Sequence, residues 1–96
     1  MAMVQTYGSY LKLDELLRLQ APRSEGPEHD EMLFIVIHQV YELWFKQVLH
    51  ELGLLQRSLE ANDTATAMAT FKRILTIFKT LVAQIDVLET MTPVSF

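Results

Sequence analysis

One of the chain's three histidines stands among aromatic residues, and that grouping is the sequence's best candidate for chemistry. Phe34 lies one helical turn before His38, Tyr41 three residues after it and Glu42 four after it, so a helix places them together. An imidazole in an aromatic wall can act as a polar handle in an apolar pocket shaped for a flat ligand. The same spacing also suits a core histidine whose ring nitrogens are satisfied by Gln39 or Glu42. Both readings remain open at the level of spacing. His29 falls in a loop-like stretch and His50 stands among Gln47, Glu51 and Gln56, positions that suit solvent-facing or capping roles.

Other chemistries lose their signatures. A carboxylate-bridged di-metal bundle needs Glu-x-x-His repeats, yet the residues three after Glu28, Glu31, Glu42 and Glu51 are Glu31, Phe34, Phe45 and Leu54. The absence of cysteine removes thiolate zinc sites, disulfides and a cysteine nucleophile, so no metal ligand set is assigned. No Gly-x-Gly-x-x-Gly, phosphate loop or Gly-x-Ser-x-Gly elbow occurs. Trp44, Phe71 and Phe78, at helical spacing, read as core. Eight Lys and Arg against twelve Asp and Glu give a net charge of −4, with the basic residues scattered singly, which argues against a nucleic-acid partner.

The elements that must position His38 are helical. All three prolines, Pro22, Pro27 and Pro93, sit at the margins, and between Glu28 and Thr92 the only glycine is Gly53. An amphipathic helix is expected over about 8–20 with Ser9 as its cap, then a Pro- and Gly-punctuated loop over 21–28. A helix of about 29–60 follows, with apolar residues at 33, 37, 40, 41, 44, 48, 52, 55 and 59. Asn62 tolerates a left-handed conformation, and Asp63 or Thr64 caps a last helix of about 64–91. Its apolar stripe is Phe71, Ile74, Leu75, Phe78, Leu81, Val82, Ile85 and Leu88, and Thr92-Pro93 ends it. The short turn makes these two helices antiparallel neighbours, so the fold class is all-α: a short N-terminal helix, a loop and a long helical hairpin.

Ninety-six residues make a single helical unit, and half of them are hydrophobic, more than one small monomer buries. Phe34, Tyr41, Phe45 and Leu49 form a second apolar face, which implies a homo-oligomer or a larger bundle. The longest uninterrupted apolar run, Met32 to Ile37, is six residues, far from the ~20 that span a bilayer, so no membrane partner is expected. The opening Met-Ala-Met-Val-Gln-Thr lacks the regions of a secretory signal, and a cytoplasmic location is expected.

Three segments carry a resemblance. They are Thr-Tyr-Gly-Ser-Tyr-Leu over 6–11, the stretch from His29-Asp30-Glu31 to Trp44-Phe45-Lys46, and Val-Leu-Glu-Thr-Met-Thr-Pro over 87–93. In order and spacing they resemble the N-terminal third of the tryptophan 2,3-dioxygenases, haem enzymes that open the indole ring of L-tryptophan with O2. The resemblance implies that His38 is the catalytic-site histidine that binds the indole N–H and that Phe34 packs on the substrate ring. It also implies that Tyr7, Tyr10 and Leu11 reach the site of a neighbouring subunit in a homotetramer, and that Phe96 lines the substrate site. The family's substrate-binding arginine and iron-ligating histidine have no counterpart in these residues, so the 96-residue chain alone is expected to be inactive. The alternative is a non-enzymatic helical oligomerisation module, with Phe34, Tyr41 and Phe45 as interface anchors and His38 a satisfied polar group.

Overall fold

The structure, a computed structural model, describes residues 5–26 and 28–91. Every regular element among them is an α-helix: α1 Tyr7–Leu11, α2 Leu13–Leu16, α3 Glu31–Glu60 and α4 Thr64–Leu88. The all-α class expected from periodicity is the one observed. The α3 and α4 helices form the hairpin, and Tyr41 opposite Leu81 and Glu51 opposite Arg73 show that they run antiparallel.

The seam follows an alternating three-and-four spacing on both helices. On α3 it runs through Ile37, Tyr41, Trp44, Val48, Glu51, Leu55 and Ser58, and on α4 through Ala67, Thr70, Ile74, Ile77, Leu81, Gln84 and Leu88. That 3.5-residue period keeps one stripe facing its partner as in a left-handed coiled coil. Val48, Ile74, Ile77 and Leu81 form the core cluster, with Tyr41, Trp44 and Leu55 packed against it.

Three details of the expected stripes are corrected here. On α4 only Ile74, Leu81 and Leu88 of the expected set enter the seam, while Phe71, Leu75, Phe78, Val82 and Ile85 are exposed. The pairing selects small residues instead, because Ala67 and Thr70 let the backbones approach near the turn, and Thr70 Oγ1 donates to Thr66 O at 2.8 Å, so its burial leaves no unmet hydrogen bond. On α3, Leu52 and Leu59 are likewise exposed and Glu51 and Ser58 are buried. Tyr41 leaves the outward face assigned to it, and its hydroxyl donates to Leu81 O at 3.1 Å.

The polar seam residues have partners. Glu51 accepts from Gln47 Nε2 at 2.6 Å and pairs with Arg73 at 3.4 Å, and Ser58 Oγ donates to Leu54 O at 2.8 Å. Gln84 Oε1 is the buried side-chain oxygen without one among the described residues.

The turn forms as its residue types dictate. Asn62 has φ 57°, its N–H donates to Leu59 O at 3.2 Å and the Asp63 N–H donates to Ser58 O at 2.8 Å, a Schellman closure of α3. Asp63 Oδ1 then accepts from the Thr66 N–H at 3.1 Å and starts α4. Hydrogen bonds from the Thr66 side chain and backbone hold the Asp63 carboxyl below its ordinary pKa.

The N-terminal helix is shorter and broken. Thr6, not Ser9, is the cap: its side chain accepts from the Ser9 N–H at 3.2 Å, and Ser9 Oγ accepts from the Thr6 N–H at 2.9 Å. Lys12 at φ 54° separates α1 from α2. At the other end α4 stops at Leu88, three residues early, because the Thr90 and Met91 amides turn back to Val87 O and Leu88 O and Thr90 Oγ1 donates to Val87 O. The expected stop at Thr92-Pro93 lies outside the described residues.

The seam assignment is tested by truncation. Ile77→Ala is expected to lower the unfolding free energy of the 96-residue chain by ~2–5 kcal/mol. Val82→Ala, at a residue 65 % exposed, is expected to change it by less than ~1 kcal/mol. Urea denaturation followed by Trp44 fluorescence measures both, and equal losses would contradict the seam.

Candidate functional site

The start of α3 is fastened by a carboxylate. Glu31, in the first turn, is buried, and it accepts from the Arg23 N–H at 2.8 Å and from the Ser24 N–H at 3.1 Å, with the Ser24 hydroxyl as a third donor. A negative group here also suits the positive end of the helix dipole. The Ser24 hydroxyl first and then the Arg23 amide lower the Glu31 pKa from its ordinary value, burial opposes them, and the Ser24 amide adds a smaller lowering. Arg23 and Ser24 are thereby tied to the start of α3.

Two turns further along α3, His38 Nδ1 lies 2.7 Å from Phe34 O. A carbonyl oxygen only accepts, so Nδ1 carries the proton and, in the neutral ring, Nε2 is left as an acceptor. Neither Gln39 nor Glu42 supplies this partner. The Phe34 and His38 rings lie 4.2 Å apart at a tilt of 35°, and Tyr41 meets His38 edge-on at 6.4 Å. Tyr41 and Phe45 stack at 6.2 Å. Phe34, His38 and Phe45 are exposed along the flank of α3, Phe34 by 40 %, and Tyr41 links them to the seam. The core-histidine reading fails on that exposure.

Beside His38 is an open groove of about 440 Å³, lined by Leu16, Leu19, His38, Gln39, Glu42, Leu43 and Lys46. Its far wall is the N-terminal segment, held by Gln39: Nε2 donates to Leu19 O at 2.9 Å, and Oε1 accepts from Gln20 Nε2 at 2.9 Å. The sequence pattern offers Gln39 only as a partner for the His38 ring and Leu16 and Leu19 only as helix residues, not as parts of this groove. The pairing spans about twenty residues, and nothing in a local pattern marks it.

The remaining expected residues are placed as follows. Tyr7 and Tyr10 are 76 % and 70 % exposed on α1, Leu11 is exposed beside them, and α1 packs against α2 rather than against the hairpin. Phe96 lies outside the described residues. Among the described residues no group of three or more His, Cys, Asp or Glu is placed to hold a metal ion, and no helix is long and apolar enough to cross a membrane.

The oriented His38 imidazole thus has the Phe34 ring on one side and the apolar groove on the other, an arrangement that can receive a flat heteroaromatic ligand. The sequence profile described as tryptophan 2,3-dioxygenase matches residues 1–96. The chain belongs to the tryptophan 2,3-dioxygenase family. It is similar to the tryptophan 2,3-dioxygenase of Herpetosiphon aurantiacus, 69 % identical over 96 residues that cover all of this chain and 37 % of the relative. The tryptophan 2,3-dioxygenase of Anaeromyxobacter sp. (strain K) is 67 % identical over 91 residues, 95 % of this chain and 34 % of the relative. That of Dictyostelium discoideum is 49 % identical over 98 aligned residues, 94 % of this chain and 24 % of the relative. The chain thus spans about a third of the length of the Herpetosiphon and Anaeromyxobacter relatives.

Glu31 ties the Arg23–Ser24 stretch to pH. Its folded pKa is depressed, so its contribution is complete above the pKa of the unfolded chain and is lost as pH falls through the folded value. The amide-proton shifts of Arg23 and Ser24 are expected to titrate together with a midpoint below the ordinary glutamate value, and to lose that step in Glu31→Gln. A midpoint at or above the ordinary value would remove the anchor.

Proposed function

We propose that this chain forms the substrate-facing wall of a haem-dependent dioxygenase that cleaves the indole C2–C3 bond of L-tryptophan to give N-formylkynurenine. Family membership supports the reaction class. The observation that carries the role of these residues is the His38 tautomer: the bond to Phe34 O leaves Nε2 as an acceptor beside an exposed phenyl ring. An indole presents one N–H donor in the plane of an apolar ring system, and Nε2 with Phe34 matches both features.

The described residues fit one side of a haem site. Phe34 and His38 give a ledge of two rings, open on the outer side of α3, against which a flat macrocycle and a flat substrate can stack. When bound, the haem iron supplies the activation of O2, both of whose atoms enter the product. The axial ligand and the partner of the substrate carboxylate are assigned to residues outside this chain. His38 Nε2 accepts the indole N–H and fixes the ring's rotation in the pocket, while Phe34 covers an indole face and excludes water. Such fixed geometry is how a wall without reactive groups contributes to rate.

Tyr7, Tyr10 and Leu11 are assigned to the site of a neighbouring copy in a homotetramer, with Phe96 a further lining residue and the cytoplasm as the location. The exposure of both tyrosines, on a helix that does not pack on its own hairpin, supports the first assignment.

In the full-length protein His38→Ala is expected to lower kcat/KM for L-tryptophan by roughly tenfold, the scale of one hydrogen bond in a partly dry site. The loss should largely vanish for 1-methyltryptophan, which has no indole N–H to donate. Phe34→Ala is expected to cost ~1–3 kcal/mol of transition-state stabilisation through lost packing. Unchanged kinetics in His38→Ala would overturn the assignment.

A further inference from the structure

The groove beside His38 has two walls of different origin. One is the outer side of α3, fixed by the hairpin, and the other is Leu16 and Leu19 from the N-terminal segment. That segment does not share the hairpin seam: α2 makes no helix-to-helix packing contact beyond α1. Among the described residues, the hydrogen bonds joining residues 5–20 to α3 are the two made by the Gln39 carboxamide.

The network is closed and has one sense. Gln20 Nε2 donates both to Leu16 O and to Gln39 Oε1, each at 2.9 Å, and Gln39 Nε2 donates to Leu19 O at 2.9 Å. Turning the Gln39 amide over would set its oxygen against the Leu19 carbonyl and its nitrogen against the Gln20 nitrogen. Since Gln20 Nε2 is already committed to the Leu16 carbonyl, the drawn orientation is the one that satisfies all three groups. Leu16 and Leu19, the groove's far wall, are the two residues whose carbonyls the clamp holds. Gln39 follows His38 directly on α3, so the imidazole and the clamp ride on one rigid element.

We propose that Gln39 is a positioning residue of the tryptophan site, its carboxamide clamping residues 16–20 against α3 so that Leu16 and Leu19 wall the groove beside the His38 imidazole. This rests on His38 facing the substrate, as set out under the proposed function. The wall touches substrate in the ground state and the transition state alike, so its loss appears in KM rather than in kcat. His38, by contrast, acts on the ring that reacts.

The test is made on the full-length holoenzyme with Gln39→Leu, which keeps the side chain's bulk and removes the clamp. A second variant, Gln20→Ala, breaks the same network from the other side without altering α3. Both are expected to raise KM for L-tryptophan by roughly three- to tenfold, the scale of one or two hydrogen bonds, with kcat within about twofold. Amide hydrogen exchange at 16–20 should accelerate in both while the α3 and α4 seam stays protected. Faster exchange with unchanged KM would overturn the positioning role, as would unchanged exchange in both variants. His38→Ala is measured in parallel: if it leaves tryptophan kinetics unchanged, the reading of the site fails first. If His38→Ala is impaired and the clamp variants are not, only the Gln39 proposal falls.

Discussion

The α3 and α4 seam is the constraint from which the rest of the structure follows. Burying Ile37, Tyr41, Trp44 and Val48 against Ile74, Ile77 and Leu81 fixes the rotation of α3 about its axis. Each successive residue advances ~100° around a helix. With Ile37 and Tyr41 turned inward, His38 is carried to the flank, Phe34 stands one turn below it and Glu42 one turn above. The Tyr41 hydroxyl bonded to Leu81 O and the buried Glu51 carboxylate paired with Arg73 add register to that rotation, because a slide of one turn would separate both pairs. The active face of the helix is therefore set by residues that do not belong to it.

Within that frame the site is oriented mainly by backbone groups. The carbonyl of Phe34 sets the His38 tautomer, the carbonyls of Leu16 and Leu19 receive the amides of Gln20 and Gln39, and the Arg23 and Ser24 amides hold Glu31. Backbone acceptors cannot titrate, so they select a protonation pattern without adding a second ionisable group. The Phe34 carbonyl fixes Nδ1 of His38 as a donor, so in the neutral ring Nε2 is the acceptor.

How much was legible in the sequence follows from which interactions are local. The helices, the Asn62-Asp63 turn and the one-turn spacing of Phe34 and His38 depend on neighbours within four residues, and they appear where their residue types place them. The seam face of α4 does not, because apolar residues cover more than half of that helix. Phe71, Leu75 and Phe78 outweigh Ala67 and Thr70 in any stripe drawn by hydrophobicity, whereas the pairing is decided by how closely two backbones approach. The break at Lys12 was equally hidden, since lysine is an ordinary helix former and its left-handed φ gives no signal in composition. For the candidate site, the contact of Phe34 with His38 was legible; the Gln39 bonds to Leu19 and Gln20 were not, because they cross from residues 16–20 to α3.

The loop before α3 is fastened at two points whose spacing matters. Gln39 and Glu31 are eight residues apart, ~12 Å along the helix at 1.5 Å per residue. The chain they hold runs from Leu19 to Ser24, five residues that can span at most ~17 Å, with Pro22 fixing one φ on the way. Little slack remains, so the two fastenings support each other: releasing one lengthens the tether and lowers the effective concentration of the other. They differ in kind, however. The Gln39 clamp is neutral and indifferent to pH, whereas the Glu31 anchor needs its charge. Acid therefore loosens the loop first at Glu31, the end farther from the groove, and the longer tether then weakens the Gln39 clamp beside His38.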